Sequence, residues 1–164
     1  MGEAMISLIL VTIFAIYFQY FFAASLGLWQ TIPNLFLPLI IYYSITREHI
    51  SAYVLAFILG IIVDVNLPSS FGISSLLFLI IAFTLGKLKK LLGRQLIGVG
   101  IALVLVSNLF YFLLSSGIFL AFNTGEALAI GKILLLSFYN SIYSFVIILL
   151  LYLIDHLKLS FSPK

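Results

Sequence analysis

Apolar runs separated by short polar breaks make up almost the whole chain. Uncharged or nearly uncharged runs cover about 5–26, 33–45, 50–65, 72–86, 96–122 and 127–154. The first, fifth and sixth exceed the roughly 20 residues a membrane-crossing helix requires, and the others are thinner. The breaks are Gly27-Leu28-Trp29-Gln30-Thr31, Thr46-Arg47-Glu48-His49, a loop around Pro68-Ser69-Ser70, the segment 87–95 and a turn near Glu126. Pro33 is placed to open the second helix, since its missing N–H would have no partner there. A re-entrant hairpin for the second and third runs would put Arg47, Glu48 and His49 deep in the bilayer, at about 2.5–3.5 kcal/mol per charge. Two thin complete spans cost less. The pattern therefore predicts six helices. The run 5–26 exceeds the roughly 7–15 residues of a signal-peptide core and has no basic residue before it, so it reads as a span and not a cleaved leader.

Composition turns this pattern into a solvent argument. Of 164 residues, 64% are hydrophobic and 8% charged, against about 25% charged in a soluble domain. So few charges cannot cover a globule, and lipid must be the solvent for most of the surface. The reading is an all-α integral membrane protein, one membrane domain over 1–164, built as a six-transmembrane-helix bundle. With no cysteine, disulfides, thiol nucleophiles and thiolate metal sites are excluded.

Charge placement then sets a topology. Arg47, Lys87, Lys89, Lys90, Arg94, Lys158 and Lys164 all fall on one side if the N-terminus is cytoplasmic, leaving Lys132 alone among the eight basic residues on the other. This is the positive-inside asymmetry, and it gives N-in, C-in. Lys87, Lys89, Lys90 and Arg94 are interleaved with leucines and read as a topology signal with lipid or cytoplasmic contact. So short a patch in such a protein is not a nucleic-acid site.

The stretch Gly60 to Gly72 holds Asp64, which the topology puts at the outer end of the third helix, where the backbone dipole disfavours an anion. Lys132 pairs with it if the third and sixth helices are neighbours; otherwise the carboxylate is solvated, or it shapes its own loop by accepting N–H groups near Ser69 and Ser70. The local role is favoured because it assumes nothing about helix order. Ser137, Asn140, Ser141 and Ser144 form a polar stripe on the sixth helix. With Ser107, Asn108 and Gln19, they read as interhelical packing groups. Catalysis is not expected. Asp64 and Asp155 lie at opposite membrane faces, about 30 Å apart, His49 and His156 sit among charges at helix ends, and no phosphate-cradling glycine loop opens a helix. Neither a cofactor nor a metal is expected.

Ile32-Pro33-Asn34 entering a hydrophobic helix, the basic turn at Arg47, then Gly60-x-x-x-Asp64 and Gly72 opening the next helix resemble the MreD family of bacterial rod shape-determining membrane proteins. One departure is the loop Asn66-Leu67-Pro68-Ser69-Ser70, where family members often carry glycine. The resemblance implies a fold similar to the S components of energy-coupling-factor transporters. It implies residence in the bacterial plasma (inner) membrane and a non-enzymatic scaffold role in the cell-elongation complex. MreC is the implied partner. Through it come the RodA glycosyltransferase, a class B penicillin-binding protein and MreB, in support of lateral peptidoglycan synthesis. Pro33, Asn34, Arg47, Gly60, Asp64, Gly72 and Lys132 are the residues expected to shape the partner surface. The alternative is the substrate-binding S subunit of a vitamin transporter, for which Trp29, Asp64, Asn66, Asn123 and Glu126 are the candidate contacts.

Overall fold

The computed structural model describes residues 2–27, 32–47, 49–66, 71–92, 96–122 and 129–161. Among them are six α-helices: α1 (Gly2–Phe21), α2 (Phe36–Thr46), α3 (His49–Val65), α4 (Ile73–Leu92), α5 (Leu96–Phe122) and α6 (Ile130–Phe161), with a 3-10 turn, Ala23–Leu26, after α1. Two are long and apolar enough to cross a membrane by themselves, over Gly100–Ile118 and Ile130–Asp155.

The centre of the molecule is its shortest helix. Every residue of α2 from Phe36 to Ser44 is buried, and α3, α4, α5 and α6 all pack against it. At 1.5 Å per residue, eleven residues reach only about 16 Å, roughly half the hydrocarbon thickness. A thin span is what the sequence predicts here, and the structure adds that the helix is hydrophobic all round because protein surrounds it. Phe36, Leu37, Ile40 and Ile41 join Leu55, Leu59, Phe78 and Ile81 in the core.

The boundaries of α2 also correct the expectation for Pro33. The helix begins at Phe36, not at Pro33. The proline in its first turn is Pro38, whose absent N–H falls among the donors that have no intrahelical partner. Asn34 supplies the cap, its Oδ1 accepting from the N–H groups of Phe36 (3.1 Å) and Leu37 (3.4 Å).

Helices α3 and α4 form the most extensive pair. Their closest approach is at Gly60, where an added Cβ would lie 2.3 Å from the Ser75 Cα and 2.7 Å from its N. Only the absence of a side chain lets the two backbones meet. By contrast α1 is thinly attached, packing chiefly on α3. Its outward side carries stacked rings, Phe14 on Phe18 on Phe22 and Tyr17 on Phe21.

Candidate functional site: the Asp64 cap and the amide cluster

Three polar constructions interrupt the apolar bundle. The first is built on Asp64, which is 0% exposed. Its Oδ1 accepts from the Ser74 N–H (2.8 Å), and its Oδ2 accepts from the Ser75 N–H (3.0 Å) and the Ser75 hydroxyl (2.7 Å). Ser74 and Ser75 lie in the first turn of α4, whose leading N–H groups need an outside acceptor. The usual supplier is the residue just before the helix, but that residue is Gly72. It has no side chain, and its φ of 93° is one that glycine alone adopts freely. Asp64, at the far end of the preceding helix, takes over the capping. The unfavourable dipole of the α3 C-terminus is thereby offset by the favourable one of the α4 N-terminus.

These contacts bear on the alternatives for Asp64: at 0% exposure the carboxylate is not solvated. Lys132 is exposed, and no ion pair joins it to Asp64. Helices α3 and α6 are separated by α2 and are not a principal contact pair. The observed role is a different local one from the expected loop contact, a cap on the start of α4 with Ser74 and Ser75 as donors. Ser69 and Ser70 lie outside the described residues, as do Trp29, Arg94, Asn123 and Glu126.

The second construction surrounds the extended segment that leads into α2. Gln19 of α1 uses both ends of its amide, donating to the Pro33 carbonyl (3.1 Å) and accepting from the Leu35 N–H (2.7 Å). The Asn34 N–H donates to Oδ1 of Asn140 (2.8 Å). Asn140 in turn donates to Asn108, which donates to the Val104 carbonyl (2.9 Å) and to the Ser144 hydroxyl (3.3 Å). Non-helical backbone at such depth is tolerated only where the protein itself satisfies it. Here three helices contribute, α1 through Gln19, α5 through Asn108 and α6 through Asn140 and Ser144. Ser137 and Ser141, from the same stripe, are buried and bond their own helix backbone.

Beside this cluster lies an open cleft of about 290 Å³, bounded by Gln19, Tyr20, Ile32, Asn34, Phe36, Val63, Asn66, Tyr111 and Phe112. Asn66 donates to the Tyr20 hydroxyl (2.6 Å) and to the Ile62 carbonyl (2.8 Å), closing one wall by tying α1 to α3. A second concavity, of about 280 Å³, is an almost wholly apolar furrow on the outward faces of α5 and α6, between Ile101, Leu105, Phe138, Ile142 and Phe145.

The third construction is at the opposite end of α2. Arg47 pairs with Asp155 (2.7 Å), and the Tyr42 hydroxyl donates to the same Asp155 oxygen (2.5 Å). Lys89 of α4 donates to the Arg47 carbonyl (2.8 Å). The start of α3 packs here as well, its His49 ring against α4 at Gly86. The sequence assigns Asp155 no role beyond being too distant from Asp64 for chemistry. Its structural role could have been suspected from charge alone, because an acid near the end of an apolar helix needs a cation at the same level.

Among the described residues, no three His, Asp or Glu side chains are grouped to hold a metal. The geometry is that of a clamp: carboxylate and amide groups consumed in tying helix to helix. The sequence model of the family described as rod shape-determining protein MreD matches residues 3–161. The chain belongs to the MreD family. Searches of curated proteins and of solved structures returned no match. Membership in the MreD family carries a role in rod-shape determination, and the apolar helices place this MreD-family chain in a membrane. The family is defined by shape determination and not by a catalysed reaction.

Proposed function

We propose that the chain is a non-enzymatic, six-span membrane scaffold of the cell-elongation complex, oriented N-in and C-in, that binds MreC. Through MreC it supports lateral peptidoglycan synthesis by RodA and a class B penicillin-binding protein, in register with MreB. The observation that carries this reading is the family match over residues 3–161. The internal use of buried polar groups fits it: among the described residues, Asp64, Gln19, Asn34, Asn108 and Asn140 are committed to holding the helices in fixed positions. A rigid bundle with apolar outward faces suits holding another apolar helix in one pose.

The transporter alternative needs an enclosed site for a vitamin. The cleft beside Tyr111, about 290 Å³, falls just short of the roughly 300–1,000 Å³ of ligand pockets, and the amides on its walls are already bonded within the chain. Purified in mild detergent from a host that also expresses its MreC, the chain is expected to retain that single-span partner in stoichiometric amount and no small ligand by native mass spectrometry. A tightly held vitamin with no MreC would overturn the scaffold in favour of the transporter.

The orientation has its own test, and the absence of native cysteine makes it clean. Ser69→Cys in whole cells is expected to react with a membrane-impermeant thiol reagent, whereas Lys90→Cys is expected to react only after permeabilisation. The reverse pattern would invert the topology.

A further inference from the structure

The basic segment after the fourth apolar run is helical as far as Leu92. Helix α4, expected to end near Gly86, runs on to Leu92, and the extra turns sort the lysines onto two sides. Lys89 turns inward and donates to the Arg47 carbonyl, closing the C-terminal end of α2. Lys87 and Lys90 are exposed, and Leu91, next to Lys90, is 81% exposed. On a 3.6-residue helix, positions 76, 83, 87, 90 and 91 share one side. Leu76 and Phe83 are the half-exposed apolar members of that side, and the Lys87 ammonium lies 4.5 Å from the centre of the Phe83 ring. The stripe that faces lipid along α4 therefore continues directly into two cations and a bare leucine.

We infer that this end of α4 is a binding surface for anionic phospholipid headgroups, made by Lys87 and Lys90 with Leu91 seated at the acyl boundary. The inference rests on the membrane reading above, but not on MreC or on the orientation. An acidic protein is the other occupant that opposite charge would allow. Continuity with the lipid-facing stripe favours phospholipid, because a protein docked there would have to displace the bilayer from Leu76 and Phe83. The ammonium groups reach phosphates while their methylene stems, the Phe83 ring and Leu91 stay in the apolar layer. Lys89, spent on the Arg47 carbonyl, is not part of the surface.

The test is native mass spectrometry of the detergent-purified full chain titrated with phosphatidylglycerol or with phosphatidylcholine of the same acyl chains. Wild type is expected to prefer phosphatidylglycerol. The preference should fall about fivefold for Lys87→Gln or Lys90→Gln, and roughly twentyfold for the pair. Lys132→Gln, at the other end of the bundle, should leave it unchanged, as should Lys89→Gln, which should instead lower thermal stability. Circular dichroism melts confirm that each variant is folded. No preference in the wild type would overturn the proposal, as would an unchanged preference in the double variant or an equal loss from Lys89→Gln. Capture of an acidic protein through Lys87 and Lys90, without any lipid preference, would assign the face to that protein instead. A wild-type chain extracted from cells without detergent would sink the membrane reading itself, a result distinct from any of these.

Discussion

Replacing Asp64 with alanine is expected to lower the thermal midpoint of the purified chain by about 10 °C, equivalent to about 3 kcal/mol in a protein of this size. The carboxylate accepts three hydrogen bonds, two of them from the first-turn N–H groups of α4. Bonds to a charged acceptor contribute about 1.5–3 kcal/mol each. Relief from burying the charge returns part of that sum, which is why the net is set near one such bond and a half. Gly72 offers no side chain to replace the cap. Asp64→Asn separates charge from geometry. Asparagine keeps one acceptor oxygen but brings an NH2 group against donors on Ser74 or Ser75, so about half the loss is expected. Full stability in Asp64→Ala, read by circular dichroism melts in detergent, would show that the α4 N-terminus has another acceptor. If the outer surface shaped by this cap receives MreC, co-purification should weaken in the same order, alanine more than asparagine.

Gly60→Ala is expected to be at least as costly. The new methyl would sit 2.3 Å from the Ser75 Cα and 2.7 Å from its N, both backbone atoms that no rotamer change can move aside. The α3–α4 pair must part along its length, and the displacement also draws Ser75 away from Asp64. Overpacking in a well-filled interior costs about 1–3 kcal/mol, and the lost cap adds to it, so a fall of 10 °C or more in the melt is expected. Gly60→Leu should not accumulate as folded protein. Because both changes act through Ser75, the double variant Gly60→Ala with Asp64→Ala should melt well above the sum of the two losses. Strict additivity would show that the close approach and the cap are separate devices.

How far these features could be read from the sequence depended on whether local chemistry or distant contact decides them. Helix α5 matches its expected range 96–122 because an uncharged run has nothing inside it to end the helix. Helices α4 and α6 overrun their expected ends at Gly86 and Ile154, since a lysine or aspartate ends the stay in lipid and not the hydrogen-bond ladder. The polar stripe on α6 was legible as a packing surface from its spacing, but its partner was not. That Asn140 would meet the Asn34 backbone depends on the packing of elements 106 positions apart. The same limit applies to Asp64: residue type and position announced an acid in need of a partner or water, but the donors expected were Lys132 or the loop near Ser69 and Ser70, and the start of α4 emerges only from how α3 and α4 pack. Pro33 misled because Pro38 follows it closely, and only the Asn34 cap tells which proline lies inside the helix.

The burial of α2 also bears on how the chain comes to be made. A translocating machine sees segments in order, and eleven residues are too few to settle across a bilayer alone. The backbone that leads into α2 finds one of its acceptors on Asn140, which is synthesised more than a hundred residues later. Until α6 emerges, the Asn34 N–H has no lasting partner, and the apolar sides of α2 lack one of the helices that cover them. On these contacts the last helix completes the second, and a nascent chain halted before Asn140 is expected to present quality-control proteases with an unfinished centre.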